Sequence, residues 1–211
     1  MSIKLTKKEF EEGLPYQLLR KENFAIAMAY LAVGIVGSLL STPLNVYLVE
    51  VLNAEPQMQN TIGILQTLPW SLKLLFGFLS DACPIKGMHR IPYLTIGSLV
   101  YSAAFIGYSL YGTDDVSILA VCIFFGTLGL IQMDVMSDTM CVQRSKLEPE
   151  EEKGQLQSSC YSIRFAGGLI GAVLGATLCN RKQWGWGLTF NQVAMLNGLI
   201  PFVLVTPFLF T

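Results

Sequence analysis

WSLKLLFGFLSDACPIKGMHRIPY, residues 70–93, ends one apolar helix, turns through a short polar loop and starts the next. Lys73, Gly77 and Asp81 recur at i, i+4 and i+8, so they lie along one helix face with a cation at one end and a carboxylate at the other. At ~1.5 Å of rise per residue the two charges stand roughly 12 Å apart, too far to pair, and each calls for a partner from elsewhere. Gly77 has no side chain and admits a neighbouring helix, Pro84 and Gly87 shape the turn, and Arg90, Ile91 and Pro92 open the following helix. The stretch reads as a stiff hairpin between two membrane spans.

Composition agrees with that reading. The 211 residues are 52% hydrophobic and only 14% charged, with a mean hydropathy of +0.50, too apolar for an ordinary soluble domain. The net charge of -1 conceals an uneven distribution and points to no nucleic-acid partner. Cys83, Cys122, Cys141, Cys160 and Cys179 form no CxxC or Cys/His cluster and read as packing residues, neither a disulfide framework nor a metal site.

Outward from the hairpin, residues 1–23 are polar and of mixed charge, a cytosolic lead-in too acidic for a transit peptide. Residues 24–211 form a six-helix transmembrane unit with spans at 24–48, 61–81, 91–111, 116–142, 155–179 and 191–210. The first is kinkable through Gly34, Gly37 and Pro43, and the sixth is interrupted by Pro201 and Pro207. Trp184 and Trp186 suit an interfacial belt. On one side lie Lys4, Lys7, Lys8, Arg20, Lys21, Lys86, Arg90, Arg144, Lys146 and Lys153, and on the other only Arg181 and Lys182. The positive-inside rule then puts the amino terminus in the cytosol. Because the chain stops on an apolar run, we expect a piece of a longer protein or an obligate dimer, inactive as a lone monomer.

Two patterns stand out within the spans. Gly167, Gly171 and Gly175 repeat at i, i+4 and i+8, a smooth strip for helix packing. Lys73 and Arg164 fall inside apolar runs, where burying a cation costs roughly 2.5–3.5 kcal/mol on insertion scales, so each should face an aqueous cavity and pair there. Asp134 and Asp138, one turn apart, are the carboxylates at hand, either as structural partners or in a substrate or coupling role, and both also suit the cytosolic boundary.

Trp70, Lys73, Gly77, Ser80, Asp81, Pro84, Gly87, Arg90, Pro92 and Tyr93 together resemble the signature loop of the major facilitator superfamily, and more specifically the folate-biopterin transporter family. Asp134, Asp138, Arg144, Gly154, Gln157, Ser158, Arg164 and Gly168 fit the same pattern, while His89 stands where such loops carry a second Arg. The resemblance implies one six-helix half of a twelve-helix, proton-coupled symporter for folates or pterins that works by alternating access. It implies a conformational latch of Gly77, Asp81, Gly87, Arg90 and Arg144, with Arg144 as counter-ion to Asp81. Substrate binding or proton coupling falls to Lys73, Asp134, Asp138 and Arg164. The partners implied are the solute, the bilayer, and a carboxy-terminal half or a second copy, with no cofactor, in the plasma membrane or an organelle envelope.

Two other classes of function compete with transport. An intramembrane prenyltransferase can hold a diphosphate through magnesium on paired aspartates, but it needs a second aspartate-rich motif, and Asp114 and Asp115 lie on the opposite side. A truncated, non-transporting regulator is distinguished by whether the isolated chain moves any solute.

Overall fold

Residues 21–206 apart from 86, 113 and 180–184 are described by a computed structural model of the chain. Most of the lead-in, Lys86, Thr113, Arg181, Lys182, Trp184 and Pro207 therefore lie outside the described residues. The described chain is helical, and its only β pairing is the isolated bridge between Ile85 and Met88.

The first span, Asn23–Val51, is built from α1 (Lys21–Leu39), α2 (Ser41–Val46) and a π-helical turn over Tyr47–Val51. The second, Pro56–Ala82, joins α3 (Pro56–Thr67) to α4 (Lys73–Ala82) through a 3-10 turn at Leu68–Leu72. Pro69 in that turn has no N–H to give to an α-helical bond, so the ladder tightens just ahead of Lys73. Then follow α5 (Ile91–Tyr111), α6 (Val116–Ser145), α7 (Gln155–Leu178) and α8 (Phe190–Val205). Five stretches are long and apolar enough to cross a membrane, and α8 is a shorter apolar helix. The chain is an all-α, multi-pass integral membrane protein.

Local chemistry sets the ends. Asp115 accepts from the Ser117 amide to cap α6, and Thr189 with Gln192 forms a capping box on α8. Glu148, itself buried, accepts from the amides of Gly154 and Leu156, both at 2.6 Å, and so satisfies the start of α7. The helix α8 runs through Pro201 without a break, contrary to the interruption expected there. Proline removes its own N–H and crowds the carbonyl one turn back, costs that packing against neighbouring helices can offset, and Gly198 packs closely on Ile106 of α5.

Two glycine contacts draw the bundle together. A Cβ on Gly171 would sit 2.3 Å from the Ile35 carbonyl oxygen and one on Gly175 2.3 Å from that of Leu39, so the strip on α7 lies directly on the backbone of α1. Gly97 and Gly129 play the same part between α5 and α6. α8 packs on α5 and α1, whereas the second span rests mainly on α6. Leu74, Leu75 and Phe78 of α4, and Phe165, Leu169 and Val173 of α7, are consequently exposed.

Candidate functional site

The tight crossing of α1 and α7 positions the first functional side chain. A Cβ on Gly34 would stand 2.2 Å from the carbonyl oxygen of Arg164, so the absence of a side chain at Gly34 fixes where Arg164 sits. From there Arg164 Nη1 reaches to 2.6 Å from Oδ1 of Asp134 on α6. This is a charge contact rather than an aligned hydrogen bond, because that oxygen makes no hydrogen bond of proper geometry. On the other oxygen, Lys73 Nζ donates at 2.8 Å, and the same ammonium lies 3.3 Å from Oδ2 of Asp138. Tyr30 of α1 closes the network by donating to Asp138 Oδ1 at 2.7 Å.

All four intramembrane charges singled out in the sequence thus meet in one cluster. Asp134 is 1% exposed, whereas Lys73 (39%), Asp138 (28%) and Arg164 (26%) keep partial access. With two cations and two carboxylates, the cluster is formally neutral. Asp134 of α6 is enclosed between Lys73 of α4 and Arg164 of α7. Tyr30 gave no charge signal in the sequence, and an aromatic residue in an apolar run reads as core.

Beside the cluster opens a cleft of about 510 Å³. Its polar lining comes from Ser38, Ser41 and Asn45 of the first span, Gln66 and Thr67 of α3, Thr127 of α6 and Arg164. Trp70 adds an aromatic wall, and Lys73 Nζ lies 5.7 Å from its ring centroid.

The hairpin at the end of α4 closes on itself. Arg90 bridges to the carboxylate of Asp81 and also donates to Ser80, while Tyr93 donates to the Cys83 carbonyl at 2.6 Å. Ile85 and Met88 exchange two backbone hydrogen bonds at 3.0 Å around Gly87, whose φ of 77° suits glycine. The counter-ion expected for Asp81 was Arg144, but the structure pairs Asp81 with Arg90, because the short turn brings the two ends of the loop together while Arg144 lies in the last turn of α6. A Cβ on Gly77 would meet nothing within 4 Å, so no described helix uses the close approach it permits. Cys122, Cys141 and Cys160 are buried and Cys83 is exposed.

Residues 33–205 match the BT1 family. The chain belongs to that family. It is 29% identical over 160 residues to probable folate-biopterin transporter 7 of Arabidopsis thaliana, covering 74% of this chain and 36% of the relative. To probable folate-biopterin transporter 4 of the same plant it is 32% identical over 148 residues, 69% of this chain and 30% of the relative. The folate-biopterin transporter of Synechocystis sp. is 27% identical over 157 residues, 74% of this chain and 31% of that one. The BT1 chain spans about a third of the length of these relatives. No solved structure matches it. Lys73, Asp134, Asp138 and Arg164 fall within the part that matches the BT1 family, and Tyr30 lies just ahead of it.

Proposed function

We propose that this chain is the amino-terminal half of a secondary transporter that takes up folate- or pterin-type solutes with protons by alternating access. The observation that carries the reading is the neutral cluster of Lys73, Asp134, Asp138 and Arg164 beside a polar cleft, within a chain whose relatives are named folate-biopterin transporters. A folate presents carboxylates and a flat ring. Arg164 offers a fork of donors for the first, and Trp70 offers a stacking face for the second.

In this reading the Asp81–Arg90 hairpin, with Gly77, Gly87 and Arg144, latches the cytosolic helix ends in one conformation. The exposed apolar faces of α4 and α7 pack against a second six-helix unit, either from the same chain or from a second copy. The amino terminus is cytosolic, and the membrane is the plasma membrane or an organelle envelope; two relatives carry the description chloroplastic. An intramembrane prenyltransferase is disfavoured because both aspartates already face cations, which leaves them poorly placed to share a magnesium ion. Uptake of labelled folate and biopterin by cells expressing the full-length gene tests the proposal: accumulation driven by an inward proton gradient is expected, and no uptake of either compound overturns it.

A further inference from the structure

We propose that a groove between α5 and α6 is a lipid site, which seats one acyl chain of a phospholipid whose head group carries a cationic amine, in the leaflet on the side of the α5–α6 loop.

The groove runs between two membrane-crossing stretches, Ile91–Tyr111 and Val116–Ser145. Ala103, Ala104 and Gly107 line it from α5, and Val121, Cys122 and Phe125 from α6, around a space of about 470 Å³. A Cβ on Gly107 would meet nothing within 4 Å, so no described side chain fills that space. The Cys122 thiol is already engaged, donating to the Ala104 carbonyl at 3.1 Å. Small residues facing branched and aromatic ones leave a slot whose walls offer dispersion contacts and little else.

Helix geometry decides what lies outside it. Ala103, Gly107 and Tyr111 share one face of α5, whereas Tyr101 and Phe105, which line the cleft beside the charged cluster, stand more than a third of a turn away. On α6 the two faces are nearly opposite, with Val121, Cys122 and Phe125 toward the groove and Ile123 and Thr127 toward the cleft. The groove is turned away from the cleft. α5 packs mainly on α6 and α8, so the groove is also apart from the exposed faces of α4 and α7. The bilayer covers it. From Val100 to Tyr111 the slot runs roughly 16 Å at ~1.5 Å of rise per residue, and a ~30 Å hydrocarbon core makes that the depth of one leaflet.

Charge at the mouth selects the head group. Tyr111, 71% exposed, ends the slot with an amphipathic ring suited to the interface. Beyond it come the exposed Asp114 and Asp115, while residues 91–133 hold no Lys, Arg or His. Asp114 is held in place there, accepting from Tyr47 at 2.6 Å. Two carboxylates repel an anionic head. In a zwitterionic lipid the amine extends beyond the phosphate, where it can pair with those carboxylates and lie against the Tyr111 ring.

The test is photo-crosslinking of the full-length gene product in nanodiscs with two probes that share a diazirine-bearing acyl chain, one headed by phosphocholine and one by phosphoglycerol. The phosphocholine probe should label the groove about threefold more than the phosphoglycerol probe, the size of an exposed ion pair. Both should label Phe202 and Val203, exposed on α8, equally and more weakly than the phosphocholine probe labels the groove. Gly107→Trp should bring groove labelling down to the level on α8. Asp114→Asn combined with Asp115→Asn should make the two probes equal there, since asparagine still caps α6. Groove labelling no stronger than that on α8, or equal labelling by the two head groups on the unmodified protein, overturns the proposal. Preferential labelling by a sterol probe, or crosslinks between two copies through the groove, overturns it in favour of that occupant. Should either variant fail to fold, the comparison of head groups on the unmodified protein still decides.

Discussion

Arg164 Nη1 lies 2.6 Å from Oδ1 of Asp134, so α7 is tied to α6 beside the cleft by an ion pair whose acceptor is sealed from solvent. The same carboxylate holds Lys73 at 2.8 Å, and three spans therefore converge on one aspartate.

Arg164→Lys keeps the charge and loses the fork. Folate binding should weaken about tenfold, close to the value of one charge-assisted hydrogen bond, with membrane abundance unchanged. Asp134→Asn should impair pH-dependent accumulation more than binding. If instead both changes lower abundance and combining Arg164→Gln with Asp134→Asn restores it, the pair serves folding and not transport.

The glycine strip gives a prediction about stability alone. Alanine is favoured over glycine in a helix by about 1 kcal/mol, yet at Gly171 the new Cβ would press on the Ile35 carbonyl. Gly171→Ala should lower the thermal unfolding midpoint in detergent, while Gly107→Ala, with nothing within 4 Å, should leave it unchanged or raise it. Equal effects at the two sites would show that α1 and α7 do not pack as closely as described.

Glu148 caps α7 through two amides. Replacing it with alanine removes both acceptors and should cost about 1–2 kcal/mol, the range of strong helix caps. Hydrogen exchange at Leu156 and its neighbours should speed up, and unchanged protection there would mean that solvent already satisfies the first turn.

Asp81 is 64% exposed, so its bridge to Arg90 adds about 1 kcal/mol or less to stability. Asp81→Asn should leave the unfolding midpoint nearly unchanged and still reduce uptake, as a latch requires. A fall in stability that matches the fall in uptake would reduce the bridge to a loop staple.

Orientation can be read with a native thiol. Cys83 is exposed in the hairpin, and Gln57 is exposed at the start of α3. An impermeant thiol reagent applied to intact cells should label Gln57→Cys and spare Cys83. Labelling of Cys83 alone would place the amino terminus on the outside.

The membrane class and the placing of the hairpin were legible in the sequence because each depends on local properties. Apolar length, the spacing of loop cations, and proline or glycine at turns act within a few residues of one another. The glycine period of α7 likewise announced a packing face, though not its partner. Pairing is another matter. Which carboxylate Lys73 meets, that Arg164 reaches Asp134, and that Tyr30 closes the cluster depend on helices brought together from distant parts of the chain. The loop showed the limit in the other direction: a single straight helix would keep Lys73 and Asp81 apart, but only the folded turn made Arg90, rather than Arg144, the partner of Asp81. Charge and length are properties of the chain, whereas an ion pair is a property of two backbones held at a fixed distance, and which helices stand at that distance only the tertiary structure decided.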